Sequence, residues 1–289
     1  MLGRQLRSSG GIVLQVNENQ FHIDPGPGAL AKAKEFGVNL RANTAILVSH
    51  SHLNHSNDLN VVIDSMTYRG FDKKGVLLAS DTVINGREGK QPVLQEFYKS
   101  CLERYIVLRP HQRVGINDVE IQMLPCDHSD PTTLGFKFFT PEFTLSYSSD
   151  TMYSRRLIEF YKNSNVLILN VVSVKGDGKN LSVNDALKII SEVKPKLCII
   201  THFGISVLEA DPIAVARELQ IETGVQVIAA KDGMVVNPVS YSVSQGQTTL
   251  NVYAPPKNTE VTVSPEGEID IEKALEENRT LNELFGSKQ

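Results

Sequence analysis

Five of the seven histidines lie in three short segments, and each segment follows an apolar run of strand length. The densest segment places three imidazoles and one carboxamide within six residues, in the order His50, His52, Asn54 and His55. On an extended backbone His50 and His52 share one face, because alternate residues do. A turn after them can bring Asn54 and His55 close to the same place. Imidazoles gathered this closely would repel one another if protonated, so the spacing indicates metal binding and would let one segment serve two ions.

Other side chains of metal-binding type follow three further predicted strands. They are His128 after Val119–Leu124, Asp150 after Phe143–Tyr147 and His202 after Leu197–Thr201. Loops that leave one edge of a packed sheet can converge on a rigid site. Imidazole nitrogens with one carboxylate suit zinc, manganese or iron, and a donor set without thiolates argues against a closed structural zinc site. The remaining histidines, His22 and His111, are interpreted as structural or surface residues.

The elements that must position these residues are mainly strands in the first half and alternating strands and helices in the second. A two-residue alternation predicts a hairpin from Ile12–Val16 and Phe21–Ile23, which the Pro- and Gly-rich segment Asp24–Gly28 ends. Helices are predicted over Tyr153–Lys162, Ser182–Val193 and Pro212–Thr223, and strands at Val166–Val171, Leu197–Thr201 and Val225–Ala229. Ser182 and Asp185 have the spacing of a capping box. This order suggests stacked sheets covered by helices on their outer faces.

The order of the candidate ligands resembles the metallo-β-lactamase superfamily, whose signature is H-x-H-x-D-H followed by a later His, an Asp and a final His. The matching residues are His50, His52, Asn54, His55, His128, Asp150 and His202, and the order and rough spacing match over about residues 11 to 235. The resemblance implies an α/β fold, an αββα four-layer sandwich with the site at one edge of its two sheets. It also implies that one ion is held by His50, His52 and His128, that a second is held by His55, His202 and Asn54, and that Asp150 bridges them. Asp24 is similar to the first motif of the family, which supports the histidine-rich loop from behind.

We predict a metallo-β-lactamase-like domain over residues 1–255 and an acidic C-terminal tail over residues 256–289. Within the tail, Ile269–Leu284 has the pattern of an amphipathic helix, with Glu and Lys on one side. The tail is therefore interpreted as an appended or docking element.

The first functional hypothesis is a metal-dependent hydrolase that acts on a phosphodiester or a related ester. Zinc is the expected cofactor, as one or two ions, with manganese or iron as alternatives. The ions would ionise a water molecule at neutral pH and polarise the ester, while Asp150 holds the ions and orients the resulting hydroxide. Asp150, Asn54 and Asp24 are the candidate catalytic residues. The preference for a phosphodiester rests on analogy with the family.

Two departures from the family support a different hypothesis. Asn54 stands where the family has an aspartate, and its neutral carboxamide oxygen predicts weaker binding of the second ion. Asn180 stands where the resemblance to tRNA 3′-processing nucleases leads us to expect a histidine, so the leaving group lacks an evident proton donor. The alternative is therefore a metal-binding module with reduced catalysis on the same scaffold.

The composition constrains the partners. A net charge of -4 argues against broad attachment to nucleic acid by charge. The arginines at positions 104, 109, 113, 155 and 156 could line an electropositive edge for such a substrate, but this spacing is typical of a solvated surface. The segment Asn85–Lys90 is interpreted as a loop over a small-molecule pocket. No apolar run approaches the roughly 18 residues that span a bilayer, no secretion signal is visible, and the three cysteines form no CxxC pair. We therefore expect a cytoplasmic protein without a membrane partner, and homo-oligomers are left open.

Overall fold

Two β-sheets pack between outer layers of helices in the computed structural model, which describes residues 7–176 and 178–242. The first sheet contains five strands in chain order: β1 (Ile12–Val16), β2 (Asn19–Ile23), β3 (Asn43–Val48), β4 (Val76–Ser80) and β5 (Arg104–Leu108). The first two form the predicted antiparallel hairpin, and the others continue the sheet in parallel.

The second sheet contains the remaining strands: β6 (Arg113–Ile116), β7 (Val119–Pro125), β8 (Leu134–Phe139), β9 (Thr144–Tyr147), β10 (Val166–Ser173), β11 (Leu181–Ser182), β12 (Leu197–Thr201) and β13 (Gln226–Ala229). Their spatial order is β13-β12-β10-β9-β8-β7-β6, and the short β11 pairs with β10. The strands from β6 to β9 form an antiparallel meander, whereas β9, β10, β12 and β13 are parallel. Parallel pairs need crossover helices, which explains the alternation in this half of the sequence.

Nine α-helices of the described residues cover the sheets: α1 (Ala29–Glu35), α2 (Leu53–Ser56), α3 (Leu59–Thr67), α4 (Asp81–Ile84), α5 (Glu96–Cys101), α6 (Arg156–Tyr161), α7 (Val183–Val193), α8 (Ile205–Glu209) and α9 (Pro212–Thr223). The predicted capping box of Ser182 and Asp185 starts α7. By contrast, α6 begins three residues later than the predicted Tyr153. The backbone N–H of Met152 donates to Asp127 O, which holds the preceding segment in a loop.

Three separate apolar clusters define the layers. The alternation along β3 shows how they arise, because Ala45 and Leu47 pack between the two sheets while Ile46 and Val48 pack against the first helix layer. Along β10, Ile168 faces the other sheet and neighbouring residues face the second helix layer. Strands buried on both faces require such continuous apolar runs. The predicted α/β fold, an αββα four-layer sandwich, is confirmed.

The predicted tail over residues 256–289 and its helix lie outside the described residues, and the domain boundary after residue 255 stays a prediction. Within the described ranges, no helix combines the length and the apolar character that crossing a bilayer requires.

Candidate metal centre

The ends of several strands meet at one edge of the sandwich, and the predicted ligands follow them. Because β7 and β9 are each antiparallel to β8, they run in the same direction, and β9 is parallel to β10, which is parallel to β12. His128, Asp150 and His202 therefore leave the second sheet at the same edge. From the first sheet, β3 delivers the histidine-rich segment and β2 delivers Asp24.

Three imidazoles form the first ligand group. His50 Nε2 lies 3.0 Å from His52 Nδ1, which lies 3.2 Å from His128 Nε2. Zinc–nitrogen bonds of about 2.0–2.1 Å in a tetrahedron separate ligand nitrogens by about 3.3 Å. The three nitrogens therefore have a spacing that fits one ion, and the geometry joins residues that are 76 positions apart in the chain.

A second group gathers around one oxygen, Oδ2 of Asp150. This oxygen lies 3.2 Å from His55 Nε2, 3.5 Å from His202 Nε2, 3.9 Å from His128 Nε2 and 4.0 Å from His50 Nε2. His55 Nε2 and His202 Nε2 are 2.9 Å apart. His50, His55 and Asp150 are all buried and form a second set that meets metal-ligand spacing. The carboxylate of Asp150 thus lies between the two groups, as a bridging ligand would.

Asp24 orients two of the imidazoles from behind the cluster. Its Oδ2 accepts hydrogen bonds from Ser49 Oγ at 2.8 Å and from His55 Nδ1 at 2.9 Å. Because the Ser49 hydroxyl donates to Asp24, its oxygen accepts from His50 Nδ1 at 2.9 Å. Both imidazoles therefore carry a proton on Nδ1, which leaves Nε2, the atom facing the cluster, as the nitrogen that would bind a metal.

Asn170 and Tyr147 hold Asp150 and Asp24 from the second sheet. Asn170 Nδ2 donates to Asp150 Oδ1 at 2.7 Å and to the Tyr147 hydroxyl at 3.3 Å, and that hydroxyl donates to Asp24 Oδ2 at 2.9 Å. Asn170 fixes one oxygen of Asp150 and leaves the other facing the imidazoles. Sequence reasoning missed both residues, although an asparagine inside the apolar run of β10 was a visible signal.

The charges of the cluster suit a cation. Burial raises the pKa of the Asp150 carboxyl, but the facing imidazoles of His202 and His55 outweigh it and hold that pKa well below its usual value. Burial lowers the pKa of His50 well below its usual value, so its nitrogen lone pair is free at neutral pH. For His55, burial is outweighed by the carboxylates of Asp150 and Asp24, which raise its pKa to about 10. The surroundings of His55 therefore favour positive charge, and a divalent cation can replace the proton on its Nε2.

A family model described as a β-lactamase superfamily domain matches residues 19–203, a range that contains Asp24 and every predicted ligand. The chain belongs to the β-lactamase superfamily. An uncharacterized protein of Methanocaldococcus jannaschii is 31% identical over 236 residues, which cover 80% of this chain and 88% of that protein.

Solved structures share the metallo-β-lactamase fold with this chain. The metallo-β-lactamase fold protein YhfI from Bacillus subtilis has a TM-score of 0.67 and 21% identity, with 80% of this chain and 91% of that chain covered. A diphosphatase from the PhnP family has a TM-score of 0.60 and 14% identity, with 80% and 94% covered. At these identities the likeness shows the fold alone.

Asn54 departs from the superfamily signature and contacts the second ligand group. Its side-chain nitrogen Nδ2 lies 2.7 Å from His202 Nε2. In this orientation the amide donates to the lone pair with which His202 would bind an ion. Coordination at this position therefore requires the amide to turn its neutral oxygen toward the ion, and a carboxylate would provide a stronger ligand there.

A further carboxylate, Asp130, supports the histidine-rich segment through Ser51. It is buried and accepts hydrogen bonds from Ser51 N at 3.1 Å, Ser51 Oγ at 2.8 Å and Thr82 Oγ1 at 2.7 Å. Thr132 donates to it through both its backbone N–H and its hydroxyl. Because Ser51 lies between His50 and His52, Asp130 fixes the segment that carries the first ligand group. Sequence reasoning missed this role.

Three non-glycine residues at the centre have a left-handed backbone. Asp24, Ser149 and His202 have φ values of 53°, 54° and 60°. This region is costly for most L residues, and the packed surroundings must compensate for it. Each residue turns the chain where a strand ends, which directs a ligand or its neighbour toward the cluster.

The other residues considered from the sequence lie elsewhere. His22 is buried and its Nε2–H donates to Gly10 O at 2.8 Å, and the His111 ring lies beside Phe160. Asn180 directly precedes β11. Neither histidine belongs to a ligand group among the described residues.

Proposed function

We propose that the protein is a metal-dependent hydrolase that cleaves a phosphodiester or a related ester of a small molecule. The observation that carries this proposal is the approach of four imidazole nitrogens to within 4.0 Å of Asp150 Oδ2. The superfamily and the polar, strand-end position of the cluster support it. The diphosphatase among the solved structures of this fold supports a phosphorus-containing substrate.

Zinc is the proposed resident metal, and manganese and iron are the alternatives, because nitrogen donors with one carboxylate suit all three. His50, His52 and His128 would hold the first ion, and His55 and His202 the second, with Asp150 between them and Asn54 beside His202. Bound ions would lower the pKa of water and polarise the ester oxygen.

The residues of the chain have distinct roles in this proposal. Asp150 Oδ2 is ionised and faces the cluster, so it can accept a hydrogen bond from the attacking water and orient it. Asp24 is a positioning residue, because Ser49, His55 and Tyr147 already occupy its oxygens. Asn54 acts on the second position through its contact with His202 Nε2.

The same contact of Asn54 favours a second candidate function, a metal-binding module without turnover. A neutral amide in place of a carboxylate weakens the second position, and two-ion catalysis needs both. The two candidates differ in one observable, which is hydrolysis at full metal occupancy.

The test uses the purified full chain with measured metal content and bis-(p-nitrophenyl) phosphate as substrate, with added zinc or manganese. His128→Asn is expected to lose bound metal and turnover together. His111→Asn is the matched control, since His111 lies outside the cluster and asparagine tolerates its φ of 67°. If fully metal-loaded protein hydrolyses phosphodiesters, lactones and thioesters no faster than the uncatalysed background, the hydrolase is rejected and the binding module is retained.

A further inference from the structure

A cavity of about 370 Å³ is lined in part by the loop that carries His128. Ser129 and Asp130 in its wall directly follow His128, and Asp130 also binds Ser51, which separates His50 from His52. The other side of the wall comes from the segment after α4, where Arg87 and other residues line the cavity. The loop that carries His128 therefore forms part of the wall, and the segment that carries His50 and His52 is hydrogen-bonded to the same loop. A cavity of this size suits a group of a small molecule.

Two cations lie opposite each other in this wall. Arg87 and Lys90 form an antiparallel bridge, with Arg87 N donating to Lys90 O at 3.0 Å and Lys90 N donating to Arg87 O at 2.7 Å. Directly opposed residues of an antiparallel pair project to the same face, with their Cβ atoms about 4.5–5.5 Å apart. Both residues line the cavity. The turn therefore presents two positive charges side by side.

The base of this turn is fixed to the rest of the fold. A Cβ on Gly86, whose φ is +71°, would lie 2.6 Å from Lys90 O, so the turn closes tightly only with glycine there. Val93 N and Leu94 N both donate to Val83 O on α4. The backbone thus fixes the turn from which the two cationic side chains project.

Folding alone does not explain the pair. Like charges directly opposite each other across a bridge are destabilising. In the part of the chain that the structure describes, neither the Arg87 nor the Lys90 side chain forms an ion pair or a hydrogen bond. An anion between them would relieve the repulsion and would satisfy the donors of the guanidinium and the ammonium group.

The acidic residues of the wall do not neutralise this pair directly. Asp130 uses both oxygens to accept from Ser51, Thr82 and Thr132. Glu88 is exposed at the tip of the turn between the two cations. Its negative charge opposes binding of an anion, so removing that charge tests whether the bound ligand is negatively charged.

We propose that Arg87 and Lys90 form an anion subsite that binds a second phosphate group of the substrate, one that is not cleaved. This inference rests on the proposed hydrolase for its reaction but makes a separate prediction about binding. The substrate class becomes a small phosphorylated ester, in which the scissile group lies at the metal centre and a further phosphate lies in the cavity. The hydroxyl of Ser129, in the same wall, is a further donor for that phosphate.

The experiment measures binding by calorimetry to the full chain, with thymidine 3′,5′-bisphosphate and thymidine 5′-monophosphate as probes. The protein is expected to bind the bisphosphate about tenfold more tightly or better, a difference of about 1.4 kcal/mol, because the second phosphate accepts charge-assisted hydrogen bonds. The double variant Arg87→Gln and Lys90→Gln should remove this preference and retain the affinity for the monophosphate within about twofold. Glu88→Gln should increase the preference, because it removes the opposing charge.

The matched control is Arg217→Gln with Lys231→Gln, which makes the same change of net charge at exposed positions outside the cavity wall. This control should keep the preference for the bisphosphate. The subsite is rejected if the native chain does not prefer the bisphosphate, or if the Arg87 and Lys90 variant keeps the preference. A preserved preference without hydrolysis of any ester would instead reject the hydrolase and retain the subsite.

Discussion

The hydroxyl of Tyr147 donates to Oδ2 of Asp24 at 2.9 Å, across the interface between the two sheets. The same oxygen accepts from His55 Nδ1, so a residue of the second sheet sets the orientation of a ligand that follows the first. Burial and the carboxylates of Asp24 and Asp150 raise the pKa of this phenol well above its usual value, which keeps it a hydrogen-bond donor at neutral pH.

Replacing Tyr147 by phenylalanine removes this donor and keeps the ring. We expect about tenfold weaker metal binding, the lower end of the range seen when supporting partners of metal ligands are lost. A competition titration with a chromophoric zinc chelator measures the change. Tyr105→Phe is the control, because Tyr105 is exposed at 45% and donates no hydrogen bond among the described residues. Unchanged affinity in Tyr147→Phe would show that Asp24 orients His55 without this bond.

Asp130→Asn replaces one accepting oxygen with an NH₂ group that faces hydroxyl and backbone donors. We expect a loss of about 1–3 kcal/mol in the free energy of unfolding and weaker retention of the first ion, since the Ser51 contact fixes His50 and His52. Denaturant unfolding and metal content measure the two effects. Glu222→Gln on the exposed face of α9 makes the same chemical change and should alter neither quantity.

Asn54→Asp restores the carboxylate of the superfamily signature beside His202. A negatively charged oxygen there should raise the occupancy of the second ion, so that bound metal approaches two per chain at lower zinc concentration. Metal content after equilibrium dialysis across a zinc series gives the answer. Equal occupancy in the native chain and the variant would mean that the amide oxygen already serves as a sufficient ligand.

Gly26→Ala tests the support of the segment that carries Asn54. An added Cβ would lie 2.1 Å from Asn54 O and 2.4 Å from Ser9 O, so the backbone must move. Overpacking of this kind costs about 1–3 kcal/mol. We expect that loss of stability together with reduced occupancy of the second ion. Gly115→Ala is the control, because no atom lies within 4 Å of its added Cβ.

Zinc should also stabilise the fold by mass action. A ligand that binds only the native state adds about 2.7 kcal/mol at a concentration 100 times its Kd. The Tm of the native chain should therefore rise with added zinc and fall after treatment with a chelator. His128→Asn should show a much smaller rise. A Tm that is independent of zinc in the native chain would contradict binding at this cluster.

The sequence predicts the features of the fold and of the cluster that depend on local patterns of residue types. The histidine-rich segment, His128, Asp150 and His202 are visible because each follows an apolar strand, and the structure brings all of them together. The alternation of strands and helices likewise predicts the layers.

Residues that act across the two sheets are harder to find. Tyr147 and Asp130 are single polar residues whose contacts with the other sheet, to Asp24 and to Ser51, join positions far apart in the chain, so no spacing marks them. Asn170 is the exception, since its polarity conflicts with the apolar strand around it. The late start of α6 has the same origin, because a contact between Met152 and Asp127 outweighs the local preference for a helix.

The ligands are divided between the two sheets, with the histidine-rich segment on one side and His128, Asp150 and His202 on the other. Neither sheet can assemble the cluster alone, because each supplies only part of the donor set. During synthesis on the ribosome, the cluster stays incomplete until β12 has emerged and His202 has reached its place. Binding of the proposed second ion would therefore come after most of this fold has formed, and it would report that the two halves have joined.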